Sequence, residues 1–200
     1  MAFAVPTQAP RIFRADDAPP QPWRNGGGVT RELLVWPDAS DWRVRISVAD
    51  IGVDGAFSSF AGVRRWFAVL QGAGVALTID GVERQQRIGD EPIAFPGDAV
   101  TTCRLLDGPT RDLNLMLRGA EGAMARVIDR SQWHPRAPRC GLFTRVAGRC
   151  HADGQNVDLP EHALLWFGHA PDVLVFASDA APDDVPGWWL AADAATEAVP

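Results

Sequence analysis

Trp42-Arg43-Val44-Arg45-Ile46-Ser47-Val48-Ala49 is the stretch that decides the fold class. Apolar residues alternate with polar or small ones through it, and successive side chains of a β-strand point to opposite faces. Trp42, Val44, Ile46 and Val48 therefore form one face, and Arg43, Arg45, Ser47 and Ala49 the other. The same period recurs on either side. Thr30 and Glu32 share a face in Thr30–Leu34, and Asp112, Asn114 and Met116 oppose Leu113, Leu115 and Leu117. Further short runs bounded by Gly, Pro and Asp predict strands over Val29–Val35, Trp66–Leu70, Val75–Ile79, Ile93–Phe95 and Thr101–Leu106. A second set covers Gly141–Val146, Ala163–Phe167, Val173–Ala177 and Trp188–Ala191. Helical periodicity is confined to an expected turn or two around Ala120–Arg130, Ala180–Gly187 reads as a surface loop, and the chain after Ala191 as a fraying tail. Many short strands at fairly regular spacing predict an all-β sandwich or barrel.

An internal repeat suggests two such units. Val69-Leu70-Gln71-Gly72, Asp80-Gly81 and Phe95-Pro96-Gly97-Asp98-Ala99 are echoed by Val146-Ala147-Gly148, Asp153-Gly154 and Leu159-Pro160-Glu161-His162-Ala163. Asp-Gly suits a type I′ hairpin, whose two central residues take positive φ. The division expected is 1–120 for a first barrel and 121–200 for a smaller, degenerate one.

Composition narrows the function. The formal net charge is −6, and the 19 basic residues are all arginine. That balance argues against nucleic acid or anionic lipid as a partner. The three cysteines, Cys103, Cys140 and Cys150, form no CxxC pair, so neither a zinc site nor a disulfide framework is expected. Met1–Pro10 lacks the pattern of a secretory leader, and no apolar run approaches the ~20 residues of a membrane helix. The expectation is a soluble, cytoplasmic protein, with a homodimer left open.

The motifs of the first 120 residues carry a resemblance. They are Pro22-Trp23-Arg24-Asn25-Gly26-Gly27-Gly28, Thr30-Arg31-Glu32, Arg45-Ile46-Ser47-Val48-Ala49, Asp54-Gly55-Ala56-Phe57-Ser58-Ser59-Phe60-Ala61-Gly62 with Arg65, Phe95-Pro96-Gly97-Asp98 and Arg111-Asp112-Leu113-Asn114-Leu115-Met116. In order and spacing they resemble the HutD/Ves family over about the first three fifths of the chain. One departure is Ala56, where the family usually has proline. The resemblance implies a bicupin, two stacked jelly-roll β-barrels. In the HutD branch it implies a link to histidine utilisation, with urocanate or a formylglutamate-like metabolite as ligand. In the Ves branch it implies stress-associated expression alone.

Placed in such a barrel, the polar strand faces line its interior or mouth, where a small molecule can sit. Thr30, Glu32, Arg45, Ser47, Asp112 and Asn114 would then converge. Arg45 is suited to bidentate recognition of a carboxylate, with Asn114 and Ser47 supplying neutral hydrogen bonds and Glu32 and Asp112 pairing with Arg45 in the empty state. The Gly26–Gly28 run permits close backbone approach, and the resemblance adds Trp23 and Asn25 to the candidates. No Gly-Lys-Ser/Thr follows, so it is not a phosphate-binding loop. Phe57, Ser58 and Phe60 lie in a loop that either caps the mouth over a planar ligand or plugs the core. Arg65 reads as a surface residue. Metal-binding cupins need two His and a Glu on adjacent strands, and the first half contains no histidine. His134, His151, His162 and His169 read as surface or interface residues, so no metal and no cofactor is expected. No Gly-x-Ser-x-Gly elbow is present, and the chain has no tyrosine. A non-catalytic binding protein is the preferred reading, ahead of a metal-free isomerase or hydrolase using Glu32 and Asp112, and of an interaction scaffold.

Overall fold

A computed structural model describes residues 9–181 and 184–194. Its strands form four sheets, and every pairing between them is antiparallel. The first sheet has the order β2 (Pro20–Pro22), β3 (Gly28–Trp36), β4 (Val44–Ile51), β11 (Thr110–Arg118), β6 (Val63–Gln71), β9 (Ile93–Pro96). The second has β5 (Gly55–Ala56), β10 (Thr101–Leu105), β7 (Val75–Ile79), β8 (Val82–Gln86). The third has β1 (Arg11–Arg14), β17 (Ala163–Phe167), β14 (Arg139–Thr144), β19 (Gly187–Asp193), β12 (Glu121–Arg126). The fourth has β13 (Gln132–Trp133), β18 (Leu174–Ser178), β15 (Gly148–Ala152), β16 (Gln155–Leu159). The fold is all-β and cupin-like.

The strand orders repeat. The run β4-β11-β6-β9 has its counterpart in β12-β19-β14-β17, and β10-β7-β8 in β18-β15-β16. The two Asp-Gly pairs sit at matching hairpins, β7–β8 and β15–β16, with φ of 47° and 81° at Asp80-Gly81 and 48° and 75° at Asp153-Gly154. All four values are positive, as the type I′ reading requires.

Three of the hydrophobic clusters lie between the sheets, and a smaller fourth gathers Trp42, Val63 and Met116. Ala49, Ile51, Phe67, Val69 and Phe95 of the first sheet meet Val75, Leu77 and Cys103 of the second. Cys140, Leu142, Leu165 and Trp189 of the third meet Cys150, Leu174 and Phe176 of the fourth. The middle core is the largest. There Val44, Ile46, Val48, Leu113, Leu115 and Leu117 pack on Phe143, Leu164, Trp166, Trp188 and Leu190. The apolar faces of the alternating strands thus look away from the first half's interior, towards the second half. Burying them against another sheet leaves the opposite, polar faces turned inward.

Two expectations are corrected. Instead of helix, Glu121–Arg126 is strand, with Ala123, Met124 and Ala125 opposite Ala191, Leu190 and Trp189. The segment's alanines favour helix in isolation, but ladder bonds to β19 and burial of Met124 override that preference. The fraying expected after Ala191 does not hold for residues 192–194, because β19 runs to Asp193 and Ala194 is fully buried. Residues 195–200 of that tail, and 182–183 of the expected loop, lie outside the described residues. The N-terminal strand β1 crosses from the first half to pair with β17 in the second.

Candidate functional site

The register stacks inward-facing side chains of the first sheet in rows. Arg45, Met116, Arg65 and Phe95 form one row across β4, β11, β6 and β9. Ser47, Asn114, Phe67 and Ile93 form the next. Thr30, Ala49, Asp112 and Val69 form the third. A cavity of about 600 Å³ opens over these rows. Its rim comes from the β2–β3 turn, with Trp23, Arg24 and Asn25, and from the segment after β5, with Phe57, Ser58 and Phe60. The corresponding interior of the second half is filled by Leu142, Phe167, Phe176 and Trp189.

Local geometry fixes the rim. Trp23 Nε1 donates to Thr30 Oγ1 at 2.8 Å, and Gly27 N donates to Asn25 Oδ1 at 3.1 Å, closing an Asx-type turn. Gly28 is required here, because a Cβ would stand 2.4 Å from the Asp50 carbonyl oxygen and 3.3 Å from the Trp23 ring. Trp23 meets Phe57 edge-on at 6.4 Å, and Phe57 leans on Phe67 at 5.9 Å.

Arg65 is the pivotal group, and its expected surface position is corrected. Only 6% exposed, it lines the cavity and makes no ion pair among the described residues. Its Nη2 donates to Asn114 Oδ1 at 3.0 Å, while its buried Nε has no partner. Its guanidinium lies 5.0, 5.1 and 5.9 Å from the ring centres of Phe57, Phe95 and Phe60. Aromatic faces stabilise a desolvated cation by about 2 kcal/mol, less than the several kcal/mol that burying an unpaired charge costs. Burial, and then the charge of Arg45, pull the Arg65 pKa down to about 10. Sequence alternation could not single it out. Arg64 and Arg65 are adjacent, and both faces of β6 are otherwise apolar up to its last residue, Gln71.

Of the predicted residues, Trp23, Asn25, Thr30, Arg45, Ser47, Phe57, Ser58, Phe60 and Asn114 line the cavity. Glu32 and Asp112 do not. Glu32 Oε2 accepts from Arg45 Nε at 2.8 Å, beside the cavity and not in its lining. Asp112 is fully buried, accepting from Thr110 Oγ1 at 2.8 Å with its other oxygen unpartnered. Burial, outweighing the Thr110 bond, raises its pKa to about 8. Its expected pairing with Arg45 does not occur, because it lies in the third row and Arg45 in the first. Gln21, Pro22, Arg24, Ala49, Ile51, Ala56, Phe67 and Met116 also line the cavity, beyond the candidates the sequence offers.

Beside this site, the outward face of β4 and β11 carries an ionic cluster. Asp50 accepts from Arg111 Nε at 2.7 Å and from Arg31, while Arg111 Nη1 reaches Asp16 at 3.1 Å and His162 Nδ1 at 3.4 Å. Burial opposes ionisation of Asp50, but the bonds and charges of Arg111 and Arg31 prevail and hold its carboxyl below the usual range. No three His, Cys, Asp or Glu side chains gather into a metal-binding group among the described residues.

The sequence matches the HutD family model over residues 15–181. The chain belongs to the HutD family. A HutD-family position agrees with individual relatives. An uncharacterised 21.2 kDa protein in the hutC 3′ region of Pseudomonas putida is 39% identical over 127 residues, 62% of this chain and 63% of that protein. The chain thus spans under two thirds of that relative's length. Protein Ves of Citrobacter koseri is 38% identical over 178 residues, 76% of this chain and 93% of Ves. HutD from Pseudomonas fluorescens SBW25, solved in a formate condition, superposes with a TM-score of 0.78 at 30% identity, covering 92% of this chain and 98% of that one. A cupin 2 barrel protein of Leptotrichia buccalis, at 9% identity and TM-score 0.56, shares the fold alone.

Proposed function

We propose that this HutD-family protein is a metal-independent binding protein for a small carboxylate metabolite. The observation that carries the proposal is Arg65, a buried guanidinium facing a cavity without an acidic partner. Two more arginines, Arg45 and Arg24, line the same cavity. An anion entering there would offset the desolvation cost of Arg65, and a carboxylate matches guanidinium geometry. Ser47, Asn114 and Thr30 offer neutral hydrogen bonds to the rest of the ligand, and Trp23, Phe57 and Phe60 offer flat apolar surface to a planar one. The name of the Pseudomonas putida relative places that protein beside hutC, and this favours a histidine-breakdown metabolite such as urocanate or a formylglutamate-like compound. The reading includes a cytoplasmic protein built of two stacked jelly-roll barrels, 1–120 and 121–200, for which the repeated strand order is the support.

A metal-free enzyme is the weaker reading. Of its two acid–base candidates, Glu32 is tied to Arg45 and Asp112 lies outside the cavity. Calorimetry with urocanate, histidine and formylglutamate, on wild type, Arg45→Ala and Arg65→Met, tests binding. Saturable binding that weakens at least about a hundredfold in Arg65→Met is expected, since a desolvated charge-assisted pair is worth several kcal/mol. Affinity unchanged in both variants removes the proposed site.

A further inference from the structure

Arg45 and Arg65 flank Met116 in one row of the cavity, yet their charge balance differs. Arg45 is neutralised locally by Glu32, whereas Arg65 has no acid. The contact is made at Arg45 Nε, which leaves the two terminal NH₂ groups of that guanidinium to the cavity that Arg45 lines. The backbone arranges this. Glu32 lies opposite Ser47, and the ladder then slips between Glu32 and Leu34, so the next pair is Leu34 with Ile46. A bulge of this kind bends its strand and re-aims side chains. Glu32 thus shares the inward face with its ladder partner Ser47 and meets Arg45 diagonally from the flank of the cavity, without joining its lining.

Resting on the anion-binding reading, we infer that Glu32 is a specificity-determining positioning residue. It aims the terminal nitrogens of Arg45 into the cavity and cancels one unit of its positive charge. Behind the exposed Arg24 of the rim, the row then presents one uncompensated cation, Arg65, and one compensated, Arg45. A first carboxylate gains the full attraction of Arg65. A second, reaching Arg45, meets the field of Glu32 as well. Removing the Glu32 charge therefore favours a second carboxylate on the ligand more than the first.

Calorimetry on the full chain with matched acids, butyrate against succinate and valerate against glutarate, tests this in wild type, Glu32→Gln, Glu32→Asp and Glu32→Ala. Glu32→Gln keeps an acceptor for Arg45 Nε and loses the charge. The expected result is a rise of about tenfold in the dicarboxylate-to-monocarboxylate affinity ratio, the effect of one partly screened charge. Glu32→Asp keeps the charge and shortens the reach, so both affinities should fall with the ratio held. Glu32→Ala should weaken both acids while raising the ratio. A role confined to folding would move both affinities together in every variant. An unchanged ratio in Glu32→Gln and Glu32→Ala, with binding retained, overturns this inference alone. Failure of the wild type to bind any of the four acids overturns it together with the reading beneath it.

Discussion

Replacing Asp112 by Asn should change how stability depends on pH, and the size of the change follows from where the carboxyl sits. Asp112 is fully buried, with one oxygen bonded to Thr110 Oγ1 and the other unpartnered. Burial raises its pKa from 3.8 to about 8, with the charge of Asp50 adding to the rise. The sign is set by proton uptake. The folded state holds this proton until pH approaches 8, whereas the unfolded chain releases it near 3.8. Between these values unfolding releases a proton, so stability falls as pH rises. Each pKa unit is about 1.4 kcal/mol, and between about pH 4.5 and 8.5 the loss comes to about 4 kcal/mol. That is a ceiling, because water drawn to the ionised group would lower the cost. It is still large against the roughly 5–15 kcal/mol by which small proteins are stable. Asn has the same shape, keeps an acceptor for Thr110 and carries no proton to lose. Urea unfolding of both proteins across this range isolates the effect, since other titrating groups cancel in the difference. The stability of Asp112→Asn minus that of wild type should climb by several kcal/mol towards alkaline pH. A difference constant with pH would refute the reasoning, because the carboxyl would then ionise as freely folded as unfolded.

Two further predictions concern other charged groups. Arg65→Met should stabilise the unliganded protein by about 1–3 kcal/mol, read as a higher urea midpoint, while abolishing carboxylate binding, because it exchanges an unpaired buried cation for an apolar side chain of similar length; a lower midpoint would mean the aromatic contacts already compensate the charge. His162, buried with Nδ1 against Arg111 and stacked on Phe143, has its pKa lowered first by burial and then by Arg111. The folded state thus refuses a proton that the unfolded chain accepts, so its contribution is intact above about 6.5 and is lost as pH falls below it. His162→Asn should flatten that acid limb, and an identical limb in the variant would assign the loss to other groups.

The sequence made the faces of the strands legible and left their depth hidden. Alternation in Trp42–Ala49 and Asp112–Leu117 turns Arg45, Ser47 and Asn114 inward, and all three line the cavity. It also turns Asp112 inward, but period two says only which way a side chain points, not how far along the strand a cavity extends. Asp112 lies one row below Asn114 and is sealed there. Edge strands were the hardest elements to see. Val82–Gln86 and Gln155–Leu159 carry few apolar residues, because a strand with one neighbour and an exposed face needs no hydrophobic period.

The second limit is physical as well. The apolar faces of β4 and β11 read from sequence as a core without saying whose core. In the structure they belong to the junction between the halves, packing on Phe143, Leu164 and Trp188. For the same reason Arg65 carries no inward-face signature in the sequence. On β6 the junction takes Trp66 and Ala68 on one face, while Phe67 and Val69 fill the first half's interior on the other. A strand buried on both sides loses the polar alternation that marks an inward face. Arg65 is thus recognisable only through its register, opposite Met116 and Phe95. The feature that carries the functional proposal comes from pairing between distant strands, and no local window of the sequence contains it.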